Sequence, residues 1–172
     1  PLELPAKTTS FRHWADSLAG YASSDDFAAE AAFWRMPVPV SGVIPADNPG
    51  GHNRQDSSVT VVRELGAGRT EALLRSAHTA YRTHVNDLLV AALAQTLAGY
   101  SGNRNVHIDL EGHGREPLFD DVDLTRTVGW FTSIHPVHIQ VPADPSRSIR
   151  TVKQYLHSTP QHGIGHGIAQ AG

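Results

Sequence analysis

The sequence predicts an α/β chain, and three observations predict it. Five segments carry apolar residues at three- and four-residue steps, the period of a helix with one buried face. Three segments are β-branched or alternate apolar with polar residues, the period of a strand. The two kinds interleave as helix, helix, strand, helix, helix, strand, strand, helix, with no internal repeat and no low-complexity tract. At 172 residues this is one domain or a large piece of one, and 40% hydrophobic with 18% charged residues is enough to bury a core.

Pro1–Lys7 reads as an extended arm, its two prolines blocking a helix. Thr9 or Ser10 then caps a helix from Phe11 to Ala22, with Phe11, Trp14, Leu18 and Tyr21 in one stripe. Ser23 and Ser24 break it, and Asp25 and Asp26 suit the first turn of a second helix to Trp34, buried along Phe27, Ala31 and Trp34. Met36–Asp56 is rich in Pro, Gly, Asn and Ser without a period and reads as a crossover. Ser58–Glu64 is β-branched, a strand that Gly66–Gly68 ends. Thr70 caps a helix carrying Leu73, Leu74, Ala77 and Tyr81. Val85 or Asn86 opens another, in which Leu88, Leu89, Ala92, Leu93 and Leu97 predict burial on most sides. Asn105–Glu111 is a second strand, and Thr127–Val141 a third, either continuous or kinked at Pro136. Ser146 caps a last helix with Ile149, Val152, Tyr155 and Leu156. The tail from Pro160, with Gly163, Gly165 and Gly167, reads as irregular.

Composition removes whole classes of function. Fourteen Lys and Arg against seventeen Asp and Glu leave a net charge of −3, scattered along the chain, with no footprint for nucleic acid and no polybasic membrane patch. Zero cysteines exclude a disulfide framework, a thiolate nucleophile and an iron–sulfur cluster, and fit a reducing cytoplasm. No apolar run approaches eighteen residues and no basic-then-apolar leader opens the chain, so neither a membrane span nor export is expected. Of the eleven histidines, His135 and His138 lie three apart on a strand and face opposite ways. With no third ligand at a compatible spacing, no metal site is expected. Gly163-Ile164-Gly165 follows a helix and is no dinucleotide fingerprint, and no serine sits in a nucleophile elbow.

The chemistry concentrates in Val106–Glu116. A period of two puts Val106, Ile108 and Leu110 on one face and His107, Asp109 and Glu111 on the other. Glu111 ends the strand, and Gly112 and Gly114 around His113 let the backbone turn and approach a ligand. A strand-end carboxylate with imidazole and guanidinium nearby is what proton transfer at a carbon acid needs. The same residues also read as a polar strand end in which Glu111 and Arg115 pair in solvent. Thr127–Thr132 sets Gly129 beside Trp130 and Phe131. This reads either as a core strand bulged at the glycine or as a substrate channel walled by the two aromatics.

Taken together, five segments resemble the epimerization domains of nonribosomal peptide synthetases, members of the condensation-domain superfamily. They are Lys7–Trp14 (KTTSFRHW), Asn86–Ala92 (NDLLVAA), Glu111–Glu116 (EGHGRE), Arg126–Pro136 (RTVGWFTSIHP) and Pro160–Gly167 (PQHGIGHG), the last with His166 where an aromatic is more usual. EGHGRE followed by VGWFT is the specific pair, because amide-forming condensation domains read differently at both places. The resemblance implies part of a chloramphenicol-acetyltransferase-like two-lobe fold, a mixed sheet with flanking helices and a tunnel between the lobes. Residues 1–56 would be the end of the first lobe and the crossover, and residues 57–172 the first part of the second.

The implied reaction interconverts L and D configuration at the α-carbon of an aminoacyl or peptidyl thioester. No cofactor is bound directly; the phosphopantetheine arm belongs to a partner carrier protein. Neighbouring synthetase domains are the other partners, with neither nucleic acid nor membrane. Glu111 matches the catalytic glutamate, with His113, Arg115, Gly129, Trp130 and Phe131 as motif and tunnel support. The family's His-His-x-x-x-Asp-Gly string and its later Asn-Tyr motif do not occur in the sequence. The resemblance therefore implies an internal fragment that is inactive alone. The competing readings are an amide-forming condensation domain, possessing similar histidines upstream, and a noncatalytic docking remnant for carrier proteins.

Overall fold

The computed structural model describes residues 5–39, 44–52 and 54–171. Positions 1–4 of the expected arm, 40–43 and 53 of the expected crossover, and Gly172 lie outside the described residues. By its contacts the chain divides into two units. Unit 1 gathers Pro1–Pro39, His107–His138 and Tyr155–Gly172; unit 2 gathers Val40–Val106 and Ile139–Gln154.

In unit 1, α1 (Phe11–Ala22) starts where Ser10 Oγ accepts the His13 N–H at 3.1 Å. Helix α2 (Asp25–Trp34) starts where Ser24 Oγ accepts the Phe27 N–H at 3.2 Å, with Asp25 and Asp26 at the positive end of its dipole. Trp14 from the α1 stripe joins Leu124, Phe131 and Ile164 in a core cluster, flanked by Leu18, Leu118, Phe119 and Val122. The tail is irregular only at first: the turn Pro160–Gly163 leads into a regular helix, α6 (Ile164–Ala171), which packs on α1 and α2. Its glycines lower helix propensity, but tertiary packing overrides that: a Cβ on Gly165 would overlap the Glu30 carboxylate.

In unit 2, Ser58–Glu64 is not a strand. It makes no ladder bonds, and Val59, Val61 and Val62 stand exposed, because no second strand lies beside it among the described residues. The next helix starts earlier than expected. Gly66 takes the N-cap position of α3 (Ala67–Glu71), which widens into π geometry over Ala72–Ser76 and puts Thr70 inside the helix. Helix α4 (Val85–Ser101) ends at Gly102, whose φ of +69° is a left-handed cap. Its buried face is Asp87, Val90, Ala91, Ala94 and Ala98, while Leu89 and Leu93 remain exposed, so α4 is buried on one side only. Small residues win that face because they allow close approach. Gln95 Nε2 donates to Ser148 Oγ at 2.5 Å and to the Pro142 carbonyl at 2.8 Å, tying α4 to the start of α5 (Pro145–Ser158). The α5 cap is Asp144, whose carboxylate accepts the Arg147 N–H at 3.0 Å, with Ser146 inside the first turn.

Strands β1 (Asn105–Gly112) and β2 (Ser133–Gln140) form the two-stranded sheet. The Val141 N–H bonds the Arg104 carbonyl, and Gly112 faces Ser133, so the pair is antiparallel. This register sets Glu111 opposite Ile134, Asp109 opposite Pro136 and His107 opposite His138, whose rings lie 4.0 Å apart. The third expected strand is shorter than Thr127–Val141, and it passes through Pro136 unbroken. The register directs the nitrogen of Pro136 away from β1, where no ladder donor is needed.

Residues 127–132 are irregular because they are committed elsewhere. The Arg115 guanidinium lies 4.0 Å over the Phe131 ring and donates to the Leu124 carbonyl and, at 2.9 Å, to the Thr127 carbonyl. Gly114, buried with φ +66°, lets the chain pass so close that a Cβ there would overlap the Phe131 carbonyl oxygen. Gly114→Ala is therefore expected to lower stability by ~3 kcal/mol or more, a left-handed strain of ~1–2 kcal/mol plus a backbone clash. Gly102→Ala, with nothing within 4 Å of the new Cβ, should lose only the strain. Urea denaturation of both variants checks this; equal losses would contradict the close approach.

Candidate functional site

Three segments meet in unit 1 beyond the end of β1: Gly112–Glu116, the loop 124–132 and the turn Pro160–Gly163. Glu111 is the last outward side chain of β1. It is exposed and has no hydrogen bond or ion pair to any described residue. Ile134 opposite is 57% exposed, so this end of the sheet face is open. Gly112 behind it is tightly packed, since a Cβ would stand 2.9 Å from Ser133 Oγ and 4.0 Å from the His162 carbonyl oxygen.

His113 is exposed, and its Nδ1 accepts the Arg115 N–H at 2.9 Å. Arg115 turns away from Glu111 into its clamp on loop 124–131, so the solvent pair between these two residues does not form. Gly129 is required by Phe11, whose ring carbon would lie 2.5 Å from a Cβ. The two aromatics after it part company. Phe131 is buried, edge-on to Phe11 at 5.1 Å, whereas Trp130 is 84% exposed.

The residues that sequence reasoning missed are the buried ones. Glu116, 8% exposed, holds the His162 Nδ1 at 3.0 Å and lies 3.5 Å from the His113 Nδ1. That contact pins a turn with three consecutive left-handed residues, Gln161, His162 and Gly163 at φ +43°, +50° and +90°. Glu30 is also buried, accepting Tyr21 O–H at 2.6 Å and Trp34 Nε1–H at 3.0 Å. Burial first, then the neighbouring carboxylate, push the Tyr21 phenol above its ordinary range. One signal was available for Glu30: it occupies the i+3 place of the stripe Phe27, Ala31, Trp34.

His135 faces inward and His138 outward, as a period of two requires. The His135 ring is buried against Gly163, where a Cβ would overlap it, and its Nδ1 has no hydrogen-bond partner among the described residues. Burial, then the charges of His166 and His162, lower its pKa against an opposing pull from Asp109. His138 is lowered by burial and then by His107, which stands 3.5 Å from Asp109. Among the described residues no group of three or more such side chains is arranged to hold a metal ion, and no helix is long and apolar enough to cross a membrane. Chemically, the arrangement offers one unencumbered carboxylate on a braced strand end, able to take or return a proton.

Comparison with known proteins shows the family and the fold. The Condensation domain profile matches residues 1–170. A component of the linear gramicidin synthase of Brevibacillus parabrevis is 43% identical over 175 residues, covering 98% of this chain and 2% of its own length. Bacitracin synthase 2 of Bacillus licheniformis is 40% identical over 171 residues, covering 98% and 7%. The crystal structure of the epimerization domain from the third module of tyrocidine synthetase B superposes with a TM-score of 0.84 at 36% identity, over 99% of this chain and 39% of its own. The first condensation domain of the calcium-dependent antibiotic synthetase, with a substrate analogue, superposes at 0.67 and 22% identity over 98% and 37%, a likeness of fold. The chain thus spans a small part of each synthetase and about two fifths of the epimerization domain.

The lowered His135 pKa has a consequence for stability. Below its ordinary value of 6.5 the unfolded chain binds this proton more readily than the folded one, so stability falls as pH drops. Urea midpoints at pH 8 and pH 5.5 should show a loss on acidification that shrinks in His135→Phe; an equal loss in both would contradict the assignment.

Proposed function

This chain belongs to the Condensation-domain family of the nonribosomal peptide synthetases, with their chloramphenicol-acetyltransferase-like fold, and from that premise we propose that it is part of an epimerization domain. Its reaction interconverts L and D configuration at the α-carbon of a carrier-bound aminoacyl or peptidyl thioester. The observation that carries this reading is Glu111: a carboxylate at a braced strand end, exposed and unpaired among the described residues, in the motif EGHGRE. The likeness to an epimerization domain, at higher identity and TM-score than to the condensation domain, supports the same choice.

The chemistry follows from the thioester. It acidifies the α-proton, and removal of that proton leaves an enolate whose negative charge resides on the thioester oxygen. Return of a proton to the opposite face inverts the centre. Glu111 supplies one of the two proton-transfer groups. The other is a histidine that the family likeness implies and that none of the eleven histidines here matches, so residues outside these 172 complete the site. A carrier protein brings the thioester on its phosphopantetheine arm. In this reading residues 1–56 close one lobe and 57–172 open the next, and the work is cytoplasmic.

Amide formation is the second reading, favoured by the breadth of the family match. One experiment separates the two. The natural-length polypeptide, with its carrier loaded with an L-aminoacyl thioester, is placed in deuterated water, and α-deuterium uptake and D-product are followed. Wild type should exchange and invert, and Glu111→Gln should slow both by about 10²–10⁴-fold. No exchange, with peptide formed once an acceptor is added, would make it a condensation domain; binding of the carrier without either would make it a docking remnant.

A further inference from the structure

A cavity of ≈ 210 Å³ is lined in part by residues of β2 that lie on the sheet face carrying Glu111. Its walls include Trp34 at the end of α2, Met36 and Val38 just beyond it, Pro136 and His138 of β2, and Tyr155 of α5. All of these residues belong to unit 1. Pro136 and His138 alternate with the buried His135 and Val137, so they share their strand face with Ile134, the residue opposite Glu111. Two residues of antiparallel strand separate Ile134 from Pro136, about 7 Å. The cavity is therefore within one long side chain's reach of the Glu111 position.

Its chemistry is selective. Among the described residues no carboxylate, ammonium or guanidinium side chain lines it, and the lining side chains that carry polar atoms are Trp34, His138 and Tyr155. The Trp34 wall is rigid: its Nε1–H is spent on Glu30 at 3.0 Å, and its ring meets His166 edge-on at 5.4 Å and Phe33 at 4.9 Å. A wall whose polar atom is already satisfied presents only ring carbon to an occupant. The volume is below the ~300–1,000 Å³ of sites for drug-sized ligands and suits a single side chain.

We propose that this cavity receives the uncharged, apolar side chain of the amino acid whose α-carbon lies at Glu111, so that aromatic and large aliphatic residues are its preferred substrates. The inference rests on the thioester reading above and adds the side-chain class to it. Met36 and Val38, 54% and 48% exposed, form the rim through which the side chain enters.

The test uses the natural-length polypeptide and unreactive amides of pantetheine carrying phenylalanyl, leucyl, alanyl or aspartyl groups. Calorimetry should find the first two bound about 10- to 100-fold more tightly than the last two. Val38→Trp and Met36→Trp, which fill the cavity from its rim, should each shrink that ratio at least about tenfold. Equal affinities in wild type, or an undiminished ratio in both variants, would overturn the proposal. The Glu111→Gln exchange assay fails separately: a preserved side-chain preference without exchange would remove the epimerase reading and keep the cavity, and exchange without preference the reverse.

Discussion

One arginine organises unit 1. The Arg115 guanidinium covers the Phe131 ring and binds the carbonyls of Leu124 and Thr127, joining the EGHGRE and VGWFT segments. Hydrogen bonds to a charged donor contribute ~1.5–3 kcal/mol each, and a desolvated cation–π contact ~2 kcal/mol. A lysine cannot reproduce the planar fork that reaches two carbonyls while stacking on a ring. From this clamp the rest follows in order. Phe131 is driven into the Trp14 core, Gly114 must lie against its carbonyl, and Gly129 must give way to Phe11. The same loop is laced to the N-terminal arm, where the Thr9 N–H bonds the Asp123 carbonyl at 2.9 Å and Arg126 donates to the Ala6 carbonyl at 3.0 Å.

The three described glutamates of unit 1 stand in different circumstances, and position decides what each can do. Glu30 is buried and satisfied by Tyr21 and Trp34, so its carboxylate is committed to holding α1 and α2 together. Glu116 is buried and paired with His162, bracing a turn of left-handed residues whose carbonyl packs on Gly112. Glu111, five residues before Glu116, has no such partner among the described residues and stands on the open face. Only a carboxylate free of structural duties can exchange protons with a substrate. The two buried ones form the frame that keeps it there.

Much of this was legible in the sequence wherever local rules act alone. A cap at Thr9 or Ser10, the break at Ser23 and Ser24, the extents of α1 and α2, and the alternating faces of β1 depend on spacing and on side chains a few residues away. What could not be read locally was decided by partners distant in sequence. Ser58–Glu64 has strand composition but no neighbouring strand among the described residues. Gly165 and Gly167 argue against a helix, yet Gly165 is what lets α6 approach Glu30. Residues 127–132 have strand character, but Arg115 and Gly114 claim their backbone and leave them irregular. At the site, the motifs pointed to Glu111 and to the two glycines. The partner of Arg115, a ring and two carbonyls rather than a carboxylate, needed the fold.

The clamp can be tested directly by amide hydrogen exchange in wild type and Arg115→Met, a change that keeps most of the side-chain length and removes the charge and the donors. The account predicts that protection over residues 112–116 and 124–131 is lost together, while α4 in unit 2 keeps its own. Unchanged protection in both segments, or loss confined to one of them, would contradict the interlock on which the placement of Glu111 depends.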